Sequence, residues 1–387
     1  MDMSRKIRQR VVYLSDVDLS LGRGPSVNEL EFVDALVLDE SVDAAVVVPR
    51  PSGTIRQTVL GRLTEILPFP IRRRNLIHLL LFETALVIYL LRLRVRFSST
   101  TIVLRVSFLP LGMYLIAPVL RGRFHLKTVG DGSFRYLRRA PLGALLVKLH
   151  RHMYRRIVRF ARSVDMVTET HREEFSRHVG FSEKCFVVDN RVNTDFFFPR
   201  DRGEVRQRLG LQDYRYVFGY VGNDPLNRGA SEAIGALRKL RGERGVNAAV
   251  LIVGAVDPQQ AAELLSTPED VHIRLVGQVP YMEVPILMNA LDVGVSFLPA
   301  WHRGASEQKV RQYLACGVVP VVTPGGSAFV AEQGVGFVSD NVDIETVAST
   351  IHHALQKSSV MSRECRAYAV EHLSHRRLWA DRKEIIL

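Results

Sequence analysis

Short apolar runs rich in valine and isoleucine alternate along this chain with longer stretches whose apolar positions recur at helical spacing. That is the pattern of successive βα units feeding a parallel sheet. In the first half it predicts strands over residues 11–14, 44–48, 101–106, 124–129 and 165–168. After residues 192–210, punctuated by Pro199, Gly203 and Gly210, the rhythm restarts with strands over 216–221, 248–253, 272–275, 293–297, 319–322 and 336–338. Turn formers in that stretch suit an interdomain crossing. Two doubly wound α/β domains are expected, residues 1–200 and 201–361, with a helical segment over 362–387, carrying Trp379, that crosses back to the first domain.

Two helical stretches stand out. The longest apolar run, 76–91, is interrupted by His78 and Glu83. It falls short of the roughly 20 residues that cross a bilayer, so a buried helix is expected. In residues 141–162, Leu142, Leu145, Leu146, Leu149, Met153, Ile157 and Phe160 project to one face. Lys148, Arg151, Arg155, Arg159 and Arg162 project to the other. The expectation is a core face and a cationic stripe. A solvated face is the plainer reading of such charges. Attraction to anionic lipid, about 1 kcal/mol per basic residue, is the functional one, giving peripheral contact with an anionic membrane or acceptor.

Length and composition agree with two cores. A chain of 387 residues, 47% hydrophobic and 24% charged, is globular and too long for one ordinary core. Cys185, Cys316 and Cys365 have no paired spacing, and the histidines show no ligand spacing, so neither disulfides nor a metal site is expected. Residues 1–10 are polar and basic, without a signal-like apolar stretch, which points to the cytoplasm or the inner face of its membrane. The net charge of +12 lies in the first half, where residues 71–162 hold 19 basic residues against only Glu83 and Asp131. An anionic partner is expected there. Nucleic acid is not, because no nucleic-acid motif accompanies the charge.

The segment 222–229, Gly-Asn-Asp-Pro-Leu-Asn-Arg-Gly, follows a predicted strand and opens a helix. Backbone N–H groups and the helix dipole would face an anion there. It resembles the glycine, arginine, four spacers, lysine, glycine signature of retaining GT-B glycosyltransferases of the family-4 type. Asn223 takes the arginine position and Arg228 the lysine position. Residues 276–280 and 287–299 resemble that family's run through its nucleotide-base loop, 306–322 its donor-binding helix and proline strand, and 187–196 its interdomain crossing. The resemblance covers nearly the whole chain. It implies two Rossmann-like domains facing across a cleft, a nucleotide-sugar donor, a hydroxyl acceptor that is lipid-linked or anionic, and no metal or other cofactor.

It also implies roles. Arg228 and Lys309 would meet the departing diphosphate, and Gly222, Asn223, Ser306, Glu307 and Gln312 would surround the donor. The family often carries two carboxylates eight residues apart where this chain has Gly304 and Gln312. A glutamine carbonyl still accepts from a ribose. Gly304 offers nothing to the sugar. In the first domain, Gly22 and Gly24 read as a loop that lets a ligand approach or equally as a simple turn, Asp131 follows a strand where such folds bind ligands, and Arg105 is a further candidate. Asp131 reads equally well as a turn cap. The reaction implied is glycosyl transfer with retention, in polysaccharide or glycolipid synthesis. The alternatives are an accessory nucleotide-sugar-binding protein that has lost turnover and a sugar-nucleotide epimerase.

Overall fold

A computed structural model describes the chain except for residues 1–7, 21–23, 72–75, 97–98, 106–109, 129–142, 266–267, 299–306 and 326. Contacts divide it into two units, one of Met1–Asn190 with His375–Leu387 and one of Arg191–Ser374. The change of unit precedes the expected Arg200 because Val192 and Phe197 are already buried in the second core.

In the first unit all strands are parallel: β1 (Gln9–Ser15), β2 (Val42–Pro49), β3 (Leu63–Leu67), β4 (Thr101–Arg105), β5 (Phe124–Lys127), β6 (Ser163–Met166) and β7 (Cys185–Val187), in the order β3-β2-β1-β4-β5-β6-β7. β3 and β7 lie beyond what the apolar pattern predicts. Both are edge strands with exposed positions, so neither reads as a continuous apolar run. Helix α1 (Gly24–Leu38) covers one face, where Phe32, Val33 and Leu36 pack with Tyr13, Val46 and Trp379. Helices α2 (Leu76–Arg96), α3 (Leu111–Ile116), α4 (Gly143–Phe160) and α5 (Glu169–Val179) cover the other, over Leu14, Leu104, Phe124 and Leu126.

Two expectations for this layer are corrected. Helix α2 is not buried all round, since Ile77, Leu80, Leu81, Ile88, Leu91 and Val95 stand exposed along one stripe. On α4 the core face is formed by His150, Met153, Tyr154, Ile157 and Val158, whereas Leu145 and Leu149 face solvent. The buried positions recur at seven-residue intervals, which turns those two leucines a step off the seam.

The second unit carries β8 (Tyr216–Val221), β9 (Ala248–Val253), β10 (Ile273–Gly277), β11 (Val293–Ser296), β12 (Val319–Val322) and β13 (Phe337–Val338), all parallel, in the order β10-β9-β8-β11-β12-β13. Helices α6 (Ala230–Arg244), α7 (Gln308–Ala315) and α8 (Ile344–His372) pack on this sheet. Helix α8 starts where Asp343 accepts from the Thr346 N–H and runs unbroken past residue 361. Its buried Met361, Cys365 and Ala369 belong to the second core, so only the last turns, including α9 (Arg377–Ile386), belong to the first unit. There Arg382 Nε donates to the buried Asp165 at 2.5 Å, and Trp379 Nε1 to Asp39 at 2.7 Å.

Candidate functional site

In the second sheet the strand order runs outward in both directions from the β8–β11 pair. Connections from these two neighbours diverge, and open α/β sheets bind ligands past the carboxyl ends of the strands at such a point. Both predicted donor segments begin there. Gly222 follows β8 directly, and α7, with Glu307 just before it, is the next described element after β11.

The loop after β8 has a constrained backbone. Gly222 has φ +152° and Gly229 has φ +105°, while Asp224 adopts φ 56° and accepts from Asn227 Nδ2 at 2.8 Å. Residues Pro225–Arg228 form a 3-10 turn, and α6 starts immediately after Gly229, whose lack of a side chain leaves the helix N-terminus without a side-chain cap. A 15-residue helix thus presents unfilled N–H groups and its positive pole to this edge.

Lys309, in the first turn of α7, reaches back over that loop. Its amine lies 4.5 Å from the Tyr220 ring centroid, and a Cβ built on Gly222 would fall 1.4 Å from Lys309 Nζ. The glycine is therefore the room the amine occupies. Burial, reinforced by the Arg228 charge and only partly opposed by Glu307, brings the Lys309 pKa down to about 7. Neither Lys309 nor Arg228 forms an ion pair among the described residues, so two cations share one neighbourhood without a neutralising contact. Replacing Gly222 by alanine is expected to displace the amine and weaken inorganic pyrophosphate binding about tenfold or more, the worth of one charge-assisted contact. Calorimetric titration of Gly222→Ala, with its circular dichroism compared with wild type, checks this.

Glu307 is an acid whose charge acts on both cations. It is 8% exposed, accepts the Ser296 hydroxyl at 2.5 Å, and its main-chain carbonyl accepts from Arg311 Nη1 at 3.0 Å. Burial raises its pKa, an effect that Ser296, Ser327, Arg228 and Lys309 offset only in part. Ser296, at the end of β11, is a positioning residue that motif reading did not reveal. Tyr313 ties the two strands together. Its hydroxyl accepts from the Val221 N–H at 3.0 Å, and its ring fills the place a side chain on Gly294 would take.

The remaining candidates belong to several elements. Gln312 is buried on α7, one turn beyond Lys309. The Asn223 side chain is exposed, and the residue instead offers its carbonyl to the Tyr220 hydroxyl at 2.8 Å. Gly304 and Ser306 lie outside the described residues, as do Gly22 and Asp131, and Gly24 is the first residue of α1. Arg105 ends β4, beside β1 at the corresponding divergence of the first sheet.

Arg105 belongs to a network that spacing could not have disclosed. The fully buried Glu29 of α1 accepts from Tyr13 Oη at 2.5 Å and from Lys127 Nζ at 2.6 Å, and Arg105 Nη1 lies 3.4 Å from it. Burial alone would raise Glu29, but Lys127 and Arg105 outweigh it and hold the carboxyl below its ordinary value. The network fixes Arg105 at the carboxyl edge of its sheet. Lys148, Arg151, Arg155, Arg159 and Arg162 are all exposed on or just after α4, as the cationic stripe requires.

Residues 215–357 match the family model for glycosyl transferases group 1. No curated protein matches the sequence. Solved structures match over nearly the whole chain. Sucrose-phosphate synthase from Thermosynechococcus elongatus superposes with a TM-score of 0.73 at 16% identity, over 98% of each chain. HepE from Anabaena, in complex with UDP-glucose, gives 0.69 at 14% identity over 97% of this chain and 98% of that one. WaaG, a glycosyltransferase involved in lipopolysaccharide biosynthesis, gives 0.69 at 16% identity over 97% and 99%. The fold of this chain is accordingly GT-B.

Proposed function

We propose, for a chain whose residues 215–357 match the glycosyl transferases group 1 model on a GT-B fold, that it transfers a sugar from a nucleoside diphosphate to a hydroxyl acceptor with retention of configuration. The observation that carries the reading is the Lys309 amine seated on Gly222 beside Arg228 at the β8–β11 divergence, with no ion-pair partner among the described residues. Such a site suits a leaving group that gains negative charge. As the bond from the sugar to the diphosphate breaks, Lys309, Arg228 and the α6 N-terminus stabilise the departing oxygens, already oriented before the charge appears. The guanidinium grips two oxygens at once. Charge neutralisation by these side chains makes a metal unnecessary. In this reading Glu307, held by Ser296, orients donor hydroxyls, the part Gly304 cannot play, and Gln312 accepts from the ribose.

The HepE structure contains UDP-glucose, which supports a nucleotide sugar as the donor class here. The test is a thermal-shift screen with UDP, GDP, ADP and dTDP, followed by sugar release from the matching nucleotide sugars. Selective stabilisation with slow release supports the enzyme; selective stabilisation without release under any acceptor supports the accessory reading.

Lys309 sets a pH signature. It must be protonated to meet the diphosphate, so kcat/KM, which reports the free enzyme, is expected to fall as pH rises through about 7. Bound diphosphate favours the charged amine and moves the limb in kcat to higher pH. Lys309→Arg, always charged, is expected to abolish the limb. A limb that survives that substitution assigns the titration elsewhere.

The acceptor end of the reading is a lipid-linked or anionic glycan precursor in polysaccharide or glycolipid synthesis, met at the inner face of an anionic membrane. No described helix is long and apolar enough to cross a membrane. Exposed Leu80, Ile88 and Leu91 on α2, Leu115 on α3, and Leu145 and Leu149 on α4 accompany the basic residues of α4, a mixture suited to lying on a lipid surface.

A further inference from the structure

A concavity of about 500 Å³ lies between the carboxyl-terminal ends of α4 and α5 and helix α3. It is lined by Arg155, Arg156 and Arg159, by Tyr114 and His152, and by the rings of Phe160 and Phe181. Because α4 leads into β6 and α5 toward β7, this place is at the amino edge of the first sheet. Arg105 and Lys127 end their strands at the opposite edge.

Two of the three guanidinium groups are anchored from behind. Arg155 Nε donates to the Val179 carbonyl at 3.1 Å, and Arg156 Nε to the Tyr114 carbonyl at 2.9 Å, with the Arg156 guanidinium 5.0 Å from the Tyr114 ring centroid. This arrangement uses one donor of each group for orientation and leaves the terminal nitrogens to face a ligand. None of the three forms an ion pair among the described residues, and no Asp or Glu lines the concavity. Helix carboxyl ends ordinarily repel anions. Here the carbonyls of Val158, Arg159 and Ala161 are taken by Lys184 Nζ at 3.1, 2.8 and 2.9 Å, and Val179 is taken by Arg155. The negative pole is thus covered by cations.

We propose that this concavity is a phosphoryl-binding site, separate from the donor site, that takes a phosphate mono- or diester with its apolar part against Phe160, Phe181 and Tyr114. Planar, bidentate guanidinium groups suit phosphate oxygens, and the rings suit the attached carbon chain. The phosphate comes from a lipid headgroup or from a soluble phosphate ester. The proposal deepens the membrane reading by naming the group recognised, while its soluble arm is independent of that reading.

The full chain carrying Arg228→Ala, which weakens the other phosphate site, is titrated with inorganic phosphate and glycerol phosphate against chloride at matched ionic strength. Its binding to phosphatidylglycerol and to phosphatidylcholine vesicles is measured alongside. The triple Arg155→Gln, Arg156→Gln, Arg159→Gln variant is expected to lose about tenfold or more in at least one arm. Arg159→Gln alone, whose side chain supports no described neighbour, serves if the triple variant misfolds. Loss in the vesicle arm assigns the headgroup, and loss only in the soluble arm assigns a soluble ester. Unchanged binding in both arms overturns the site, even where anionic vesicles still bind, and absent vesicle binding with a phosphate response retires the membrane reading alone.

Discussion

Lys309→Ala is expected to lower glycosyl transfer by about 10³-fold while shifting the thermal midpoint by no more than a few degrees. The first half follows from position. The amine occupies the space above Gly222 and has no ion-pair partner among the described residues, so its interaction free energy is reserved for the ligand. Removing one preorganised donor from such a site costs about 10²–10³-fold, and here the missing donor also carries full charge. The second half follows from the depressed pKa. Burial and Arg228 disfavour the charged amine, so its removal relieves a repulsion while forfeiting some alkyl packing. Initial rates and melting curves on the same preparation decide this. Lost activity accompanied by unfolding would make Lys309 structural, and turnover near wild type would remove it from the reaction.

The largest stability effect is expected at Asp165, in the first unit. Asp165 accepts from the Thr128 N–H at 2.9 Å and from Arg382 Nε, and His125 Nε2 lies 3.8 Å away. Burial would raise its pKa, but Arg382 first, then His125 and Lys127, hold it well below the carboxylate range. Asp165→Ala strands the 2% exposed Arg382 as an unpaired buried cation, an error that costs about 3–5 kcal/mol. Urea unfolding of the full chain measures the loss, and limited proteolysis of residues 375–387 locates it. Asp165→Asn combined with Arg382→Met, which removes the charges together and keeps an acceptor for Thr128, is expected to recover most of it. Equal losses in both variants would show that packing, not charge, docks the last helix.

The strands were legible wherever they are buried on both faces, as at β8, β9 and β12, because a central parallel strand reads as an unbroken apolar run. β3 and β7 carry no such signal, since an edge strand shares its exposed positions with any loop. Helical periodicity found α4 but placed its seam wrongly at Leu145 and Leu149, because exposed leucines beside the buried positions widen the apparent core face. In the donor site, Arg228 and Lys309 could be identified through their motif context. What the motif could not convey is a relation across the sheet. That Gly222 is empty to admit Lys309, or that Ser296 holds Glu307, depends on β8 and β11 being neighbours, a fact of topology that linear spacing does not encode.

The central claim is that Arg228 and Lys309 grasp one diphosphate. Its most direct test is the affinity of the preferred nucleoside diphosphate divided by that of the same nucleoside, for wild type, Arg228→Ala and Lys309→Ala. The ratio isolates the phosphates from the base. It is expected to be large in wild type and to fall about tenfold or more in each variant, with nucleoside affinity unchanged. A ratio that either substitution leaves intact would contradict the account.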